Sequence, residues 1–165
     1  MAVIQYRLDG RMLHGQVSNF ARALNIEEFV VINEKTANDP TQVMLLELAA
    51  LNAEVDAVSP QDAYELLTSD ELEDYRVMVV FKEIFDAVEL VKLGYSMKEI
   101  VISGMYAKDN ENKVKAEACL FVDDKDKEAF RFLEDHKISS EGIYTDILVT
   151  AGSWCSAHAS DFTGI

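Results

Sequence analysis

The fold of this 165-residue chain is decided by one short apolar segment, Tyr75-Arg76-Val77-Met78-Val79-Val80-Phe81. β-branched and aromatic side chains fill most of its positions, which is typical of a strand. Apolar residues at consecutive positions predict a strand that is buried on both faces, as the strands of parallel sheets are. A stretch of helical period follows at 85–93 and stops at Gly94, so the segment opens a strand–helix unit.

The same alternation continues in both directions along the chain. Predicted strands cover 2–8, 28–33, 54–58, 75–81, 99–102, 114–120 and 142–149, and predicted helices cover 15–24, 40–51, 60–67, 85–93 and 123–133. Pro40 and Pro60 stand where a first helical residue needs no N–H, and Asp123 is a typical N-cap. The pattern predicts an α/β fold, a single three-layer αβα domain with a mainly parallel central sheet. In such sheets ligands bind beyond the carboxyl ends of the strands.

Composition excludes several classes of protein. A hydrophobic content of 49% is too high for a disordered chain, and a net charge of −15 argues against binding nucleic acid or an anionic membrane. Cys119 and Cys155 are too few for a disulfide framework or a structural zinc site. No apolar run approaches the roughly 20 residues of a membrane span, and the N-terminus lacks signal-peptide features. We therefore expect one cytoplasmic domain over 1–165.

The loop after the first predicted strand carries the chemistry: Arg7-Leu8-Asp9-Gly10-Arg11-Met12-Leu13-His14-Gly15-Gln16-Val17. An imidazole titrates near neutral pH and can carry a phosphoryl group reversibly on a ring nitrogen. Arg11 offers a planar fork of donors to phosphate oxygens, and Gly15 allows close approach to N–H groups at a helix start. Asp9 can hold a ring N–H of His14 or orient an arginine. The residue types indicate phosphoryl transfer without a metal.

These residues resemble a known family. Arg-x-Asp-x-Arg-Met-Leu-His-Gly-Gln-Val is similar to the active-site loop of the IIB components of mannose/fructose/sorbose-type sugar phosphotransferase systems. Later segments resemble the family in the same order: Val31-Ile32-Asn33-Glu34, Ala37-Asn38-Asp39, Val77-Met78-Val79-Val80-Phe81-Lys82, Gly104-Met105 and Val122-Asp123-Asp124-Lys125-Asp126. The resemblance covers about residues 2–149.

The resemblance implies a cytoplasmic phosphocarrier. His14 would accept a phosphoryl group on Nδ1 from a phosphohistidine of a IIA protein or domain. It would then pass the group to a sugar bound by the membrane components IIC and IID, to which the protein associates peripherally. Arg11 would bind the phosphate. The family implies neither cofactor nor metal, and a homodimer is an open alternative.

The candidate site residues fall into three groups, and several of them have a structural alternative. His14 is the catalytic residue; Arg11, Asp9 and Gly15 bind phosphate; and Arg7, Gln16, Ser103, Gly104 and Met105 line the cleft. Asp9 could instead only cap the loop, and Arg7 could be an ion-pair partner at the end of the sheet. The segment 103–105 could be a simple strand-end turn.

The chain departs from the family at several positions, and two other functions stay open. Gly10 stands where the family often has a second acid, and the tail 151–165 does not resemble the family's C-terminus. In that tail, Cys155 and His158 are too weak a pattern to predict a metal site. One rival function is a non-catalytic regulatory or binding module of the same fold. The other is a histidine phosphatase, which would need further histidine and arginine residues around His14.

Overall fold

The computed structural model describes residues 2–108, 111–117, 119–144 and 147–149. Over these ranges the strands are β1 (Ala2–Asp9), β2 (Glu28–Ile32), β3 (Glu54–Val58), β4 (Arg76–Phe81), β5 (Glu99–Gly104), β6 (Val114–Glu117), β7 (Leu120–Val122), β8 (Ser139–Tyr144) and β9 (Ile147–Val149). The helices are α1 (Gly15–Ala23), α2 (Glu34–Ala37), α3 (Pro40–Ala50), α4 (Pro60–Thr68), α5 (Ile84–Lys92) and α6 (Asp124–Asp135). None of the helices in this described part is long and apolar enough to span a membrane.

The strands of the described residues form one seven-stranded sheet and one hairpin. The sheet has the order β3-β2-β4-β1-β5-β8-β9, and β6 pairs with β7. All neighbours in the sheet are parallel except β8 and β9, which are antiparallel. Along the chain, strands β1 to β5 alternate with helices. This alternation and the parallel pairing confirm the predicted α/β fold with a mainly parallel sheet.

Strand β4 lies between two hydrophobic cores. Its residues Val77, Val79 and Phe81 belong to a first core beneath α4, α5 and α6, and Met78 and Val80 belong to a second core beneath α1 and α3. All five side chains have no exposed surface. The segment therefore lacks polar residues at these positions because helices cover both faces of the strand.

Helix starts follow the sequence signals. Pro40 and Pro60 occupy the first turns of α3 and α4, while the side chains of Asp39 and Ser59 accept hydrogen bonds from backbone N–H groups of those turns. Asp123 caps α6, as predicted, and accepts from the N–H of Asp126. Each such cap stabilises its helix by about 1 kcal/mol.

Two predicted strands were wrong in extent. The segment 114–120 is not one strand, because β6 and β7 form an antiparallel hairpin that turns near Cys119. No glycine, proline or asparagine stands at that turn, so the usual sequence signal was missing. The last predicted strand, 142–149, is divided into β8 and β9, and β8 already begins at Ser139, where it pairs with Glu99 of β5. The tail 151–165 and residues Cys155 and His158 lie outside the described residues.

Candidate active site

Residues 9–14 form a tight loop at the carboxyl end of β1. Asp9 pairs with Gly104 of β5, and the N–H of Gly10 donates to the carbonyl of Gly104 at 2.9 Å. The N–H of Met12 donates to the carbonyl of Asp9 at 2.8 Å, and Met12 adopts a left-handed φ of 57°. The loop therefore reverses direction within a few residues and stays attached to the edge of the sheet where parallel sheets bind ligands.

Two buried side chains determine what this loop presents to solvent. Met12 and Leu13 are 6% and 7% exposed and pack into the second core. Arg11 and His14 flank them, and both are more exposed. The sequence Arg-Met-Leu-His thus anchors the loop by its middle and leaves a guanidinium and an imidazole at its surface.

Asp9 holds one nitrogen of the His14 ring. Its Oδ2 lies 2.7 Å from Nε2 of His14, and the carboxylate is completely buried. A buried carboxylate accepts, so Nε2 carries the proton in the neutral ring and Nδ1 keeps its lone pair. Among the residues that the structure describes, none forms a hydrogen bond to Nδ1. The His14 side chain is 19% exposed, so it is held in orientation but not enclosed.

The second carboxylate oxygen of Asp9 contacts Arg11. Oδ1 accepts the backbone N–H of Arg11 at 3.0 Å and lies 3.5 Å from its Nε. One carboxylate therefore places the guanidinium and the imidazole beside each other. The Arg11 side chain is 46% exposed, so its remaining donors can meet a ligand.

Helix α1 begins directly after the imidazole. His14 is its N-cap residue, but its side chain makes no capping hydrogen bond, which leaves the ring for Asp9. A Cβ placed on Gly15 would meet nothing within 4 Å, and Gly15 and Gln16 are exposed. The first N–H groups of a helix lack intrahelical acceptors, so this end of α1 offers donors to an anion.

Arg7 and Ser103 lie inside the sheet. Arg7 is 5% exposed, donates from its terminal nitrogen to Oγ of Ser103, and has its guanidinium 5.7 Å from the ring centroid of Phe20. Burial lowers the pKa of Arg7, and the charge of Arg11 acts in the same direction, against the raising effect of Asp9. The residue joins β1 to β5 through a hydrogen bond to Ser103, whereas the structural alternative was an ion pair.

The loop after β5 places Tyr106, not Met105, beside Arg11. Met105 is 7% exposed and packs into the first core, where it bridges to Leu120. The guanidinium of Arg11 lies 5.2 Å from the ring centroid of Tyr106. Burial raises the pKa of Tyr106, so its hydroxyl stays neutral. Sequence reasoning missed Tyr106, and its position shortly after a strand-end glycine is at most a weak signal.

A chain of polar side chains supports the loop from the ends of β2 and β4. Thr36 donates to Oδ1 of Asn33 at 3.0 Å, and its hydroxyl lies 3.6 Å from Sδ of Met12. Lys82 donates to the same hydroxyl at 3.4 Å. Asn33 in turn donates to both oxygens of Asp86. Burial raises the pKa of Asp86 to about 6, despite hydrogen bonds from the Glu83 backbone and Asn33 that lower it.

The described residues contain no group of three or more histidine, cysteine or acidic side chains that could hold a metal ion.

A family model described as the sorbose subfamily IIB component of the phosphotransferase system matches residues 3–148. The chain belongs to this family.

Its relatives and structural neighbours agree with the assignment of this IIB component. The chain is 26% identical over 153 residues to the sorbose-specific EIIB component of Klebsiella pneumoniae, in an alignment that covers 92% of this chain and 89% of that protein. It is 25% identical over 143 residues to the mannose-specific EIIAB component of Escherichia coli (strain K12), covering 86% of this chain and 42% of that protein. The crystal structure of the IIBSor domain of the Klebsiella pneumoniae sorbose permease matches with a TM-score of 0.79, at 24% identity, over 90% of this chain and 93% of that one. That structure shares the fold.

Proposed function

We propose that this IIB component is a phosphocarrier in which Nδ1 of His14 accepts a phosphoryl group and passes it to a sugar during uptake. The observation that carries the proposal is the bond between Asp9 and Nε2 of His14, which leaves the other ring nitrogen without a partner among the described residues. A side chain that is partly exposed and held in one orientation suits a nucleophile that must meet a second protein.

The accepting step needs little covalent machinery. The lone pair of Nδ1 attacks phosphorus, the N–P bond of the donor phosphohistidine breaks, and its electron pair returns to the donor nitrogen. The His14 ring keeps its Nε2 proton and becomes positively charged as the new N–P bond forms. The carboxylate of Asp9, 2.7 Å from Nε2, stabilises that charge, as a carboxylate does beside a histidine in other enzymes.

Arg11 and the start of α1 neutralise the transferred group. The guanidinium lies beside the same carboxylate as the imidazole, and its exposed side carries donors that have no hydrogen-bond partner among the described residues. The partial positive charge of the N–H groups at Gly15 and Gln16 favours binding of an anion at the helix start. Phosphoryl transfer depends chiefly on such positioning and charge stabilisation, and no cofactor or metal enters this scheme.

The proposed partners follow from the family. The donor is a phosphohistidine on a IIA protein or domain, and the name EIIAB of the Escherichia coli relative supports such a pairing. The acceptor is a sugar held by membrane components IIC and IID, so transfer takes place in the cytoplasm at the membrane surface. There the sugar oxygen attacks phosphorus, the N–P bond to His14 breaks, and the hydroxyl proton is released.

Incubation with phosphoenolpyruvate, enzyme I, HPr and the cognate IIA tests this function. We expect one acid-labile phosphate on the protein, detected by intact mass, and none on His14→Ala. His136→Gln is the matched control: His136 is an exposed histidine at the end of α6 that bonds the carbonyl of Phe132, so its loss should leave labelling unchanged.

Each rival function gives a different result, in this experiment or in a separate assay with a model ester. A non-catalytic module of the same fold would gain no phosphate at all. A phosphatase would release inorganic phosphate from a model ester such as p-nitrophenyl phosphate. Labelling that persists in His14→Ala would contradict the proposal itself.

A further inference from the structure

Arg11 has few contacts that fix its side chain. Nearly half of that side chain is exposed, and its only ion pair in the described part of the chain is the 3.5 Å approach of Nε to Asp9. A long exposed arginine samples many rotamers, and restricting them before the ligand arrives makes binding faster and tighter. The guanidinium also lies beside the ring of Tyr106, whose centroid is 5.2 Å from the guanidinium carbon.

Two glycines make the space in which that ring lies. A Cβ on Gly104 would come within 2.6 Å of Cε2 and Oη of Tyr106, a distance that atoms do not tolerate. A Cβ on Gly10 would lie 3.3 Å from Cδ2 of the same ring. Gly10 and Gly104 are themselves joined by a backbone hydrogen bond of 2.9 Å. The ring therefore packs against the backbone at the ends of β1 and β5, which keeps it next to the active-site loop.

We infer that Tyr106 is the positioning residue for Arg11: its ring, admitted by Gly10 and Gly104, holds the guanidinium beside Asp9 and His14 before the phosphoryl group arrives. This inference rests on the proposed function, because Arg11 is taken as the group that binds phosphate. The attraction is between a cation and an aromatic ring. Phenylalanine at position 106 should therefore preserve the positioning of Arg11, whereas an aliphatic side chain of similar size should not.

The test uses a small N–P donor, potassium phosphoramidate, so that contacts with a donor protein play no part. In the reaction Nδ1 of His14 attacks phosphorus, the N–P bond of phosphoramidate breaks, and ammonia leaves after taking a proton. The initial rate of phosphohistidine formation is measured for the unmodified protein, Tyr106→Leu, Tyr106→Phe, Arg11→Ala and the double variant Tyr106→Leu/Arg11→Ala. Thermal unfolding of each protein reports whether the fold is retained.

We expect the effect of Tyr106→Leu on the rate to depend on the presence of Arg11. Tyr106→Leu should lower the rate roughly tenfold, and Tyr106→Phe should stay within about twofold of the unmodified protein. In the Arg11→Ala background, Tyr106→Leu should change the rate by less than about twofold, because the residue it positions is gone. A structural role would produce the same loss in both backgrounds.

Several results would overturn the inference. These are an equal loss in both backgrounds, an unchanged rate in Tyr106→Leu, or a Phe variant as slow as the Leu variant. If Tyr106→Leu does not fold, Tyr106→Met replaces it in the same cycle, and failure of both to fold makes the ring structural and refutes a positioning role. An unmodified protein that gains no phosphohistidine on His14 would instead refute the proposed function, so the two failures are distinguishable.

Discussion

Oδ2 of Asp9 lies 2.7 Å from Nε2 of His14, while Oδ1 of the same carboxylate accepts the N–H of Arg11. The two oxygens thus have separate tasks, one for the imidazole and one for the arginine. Because the carboxylate is completely buried, it cannot exchange these partners for water. Asp9 therefore determines both which nitrogen of His14 is free and where the backbone of Arg11 lies.

Asp9→Asn should remove one of these two interactions. An asparagine has one acceptor oxygen, so either Nε2–H of His14 or the N–H of Arg11 must face an NH2 group instead. We expect the rate of His14 phosphorylation to fall about 10²-fold or more, since a wrong tautomer removes the nucleophilic lone pair. Rates from phosphoramidate labelling at equal folded fraction check this, and an Asn variant as fast as the unmodified protein would remove Asp9 from the mechanism.

Gly104→Ala should destabilise the protein through Tyr106. The added Cβ would lie 2.6 Å from Tyr106 ring atoms, so the ring must move. We expect a loss of about 1–2 kcal/mol in the free energy of unfolding in urea. In a Tyr106→Ala background the same substitution should cost less than about half as much, since the obstructing ring is absent.

Gly15→Ala is the matched control for that substitution, because a Cβ there meets nothing within 4 Å. Its free energy of unfolding should equal or exceed that of the unmodified protein. An equal cost of Gly104→Ala with and without the Tyr106 ring would show that the two residues do not contact each other as described.

Glu28 should make the protein less stable as pH rises. It is 2% exposed, its Oε1 has no hydrogen-bond partner among the described residues, and burial raises its pKa from 4.5 to about 7, with Asp56 and Glu54 adding repulsion. The folded state then binds a proton that the unfolded chain releases, so stability is lost as pH rises from about 4.5 to about 7.

Glu28→Gln removes this titration. We expect the variant to gain stability over the unmodified protein at about pH 8 and much less at about pH 5, in urea unfolding at the two values. Glu73→Gln, at an exposed glutamate, is the control and should show no such difference. A gain that is the same at both pH values would contradict the assignment to Glu28.

The sequence predicted the fold well wherever a strand is buried or a helix start is capped. The buried strands β2 and β4 and the helix starts at Pro40, Pro60 and Asp123 match the prediction to within one residue, because each signal is local. The hairpin of β6 and β7 was missed because its pairing depends on contacts such as Met105 with Leu120, which no local pattern encodes.

The loop that carries His14 could be found from residue types alone, and they also offered the two contacts of Asp9 as alternatives. That both contacts form at once could not be predicted. The division of Asp9 between the imidazole and Arg11 depends on the burial of Met12 and Leu13, which is a tertiary effect. Tyr106 escaped notice because an aromatic residue after a strand is common. Its contact with Arg11 depends on the pairing of β1 with β5, which sequence spacing does not reveal.

The end of α6 offers a test of backbone conformation. Lys137 has a φ of 60°, its N–H donates to the carbonyl of Glu134, and the N–H of Ile138 donates to that of Leu133, an arrangement that favours glycine. Lys137→Gly should therefore raise the free energy of unfolding by about 0.5–1 kcal/mol. Glu128→Gly, at an exposed position inside α6, should lower it by about 1 kcal/mol, and a loss in both variants would contradict the left-handed conformation.

The phosphorylated nitrogen can be identified directly in a ¹H–¹⁵N long-range correlation spectrum of protein labelled with ¹⁵N-histidine, recorded before and after treatment with phosphoramidate. We expect the His14 ring to change at Nδ1, with a coupling to phosphorus there, and Nε2 to keep its proton beside Asp9. A phosphoryl group on Nε2, or a His14 ring unchanged while another histidine is modified, would contradict it.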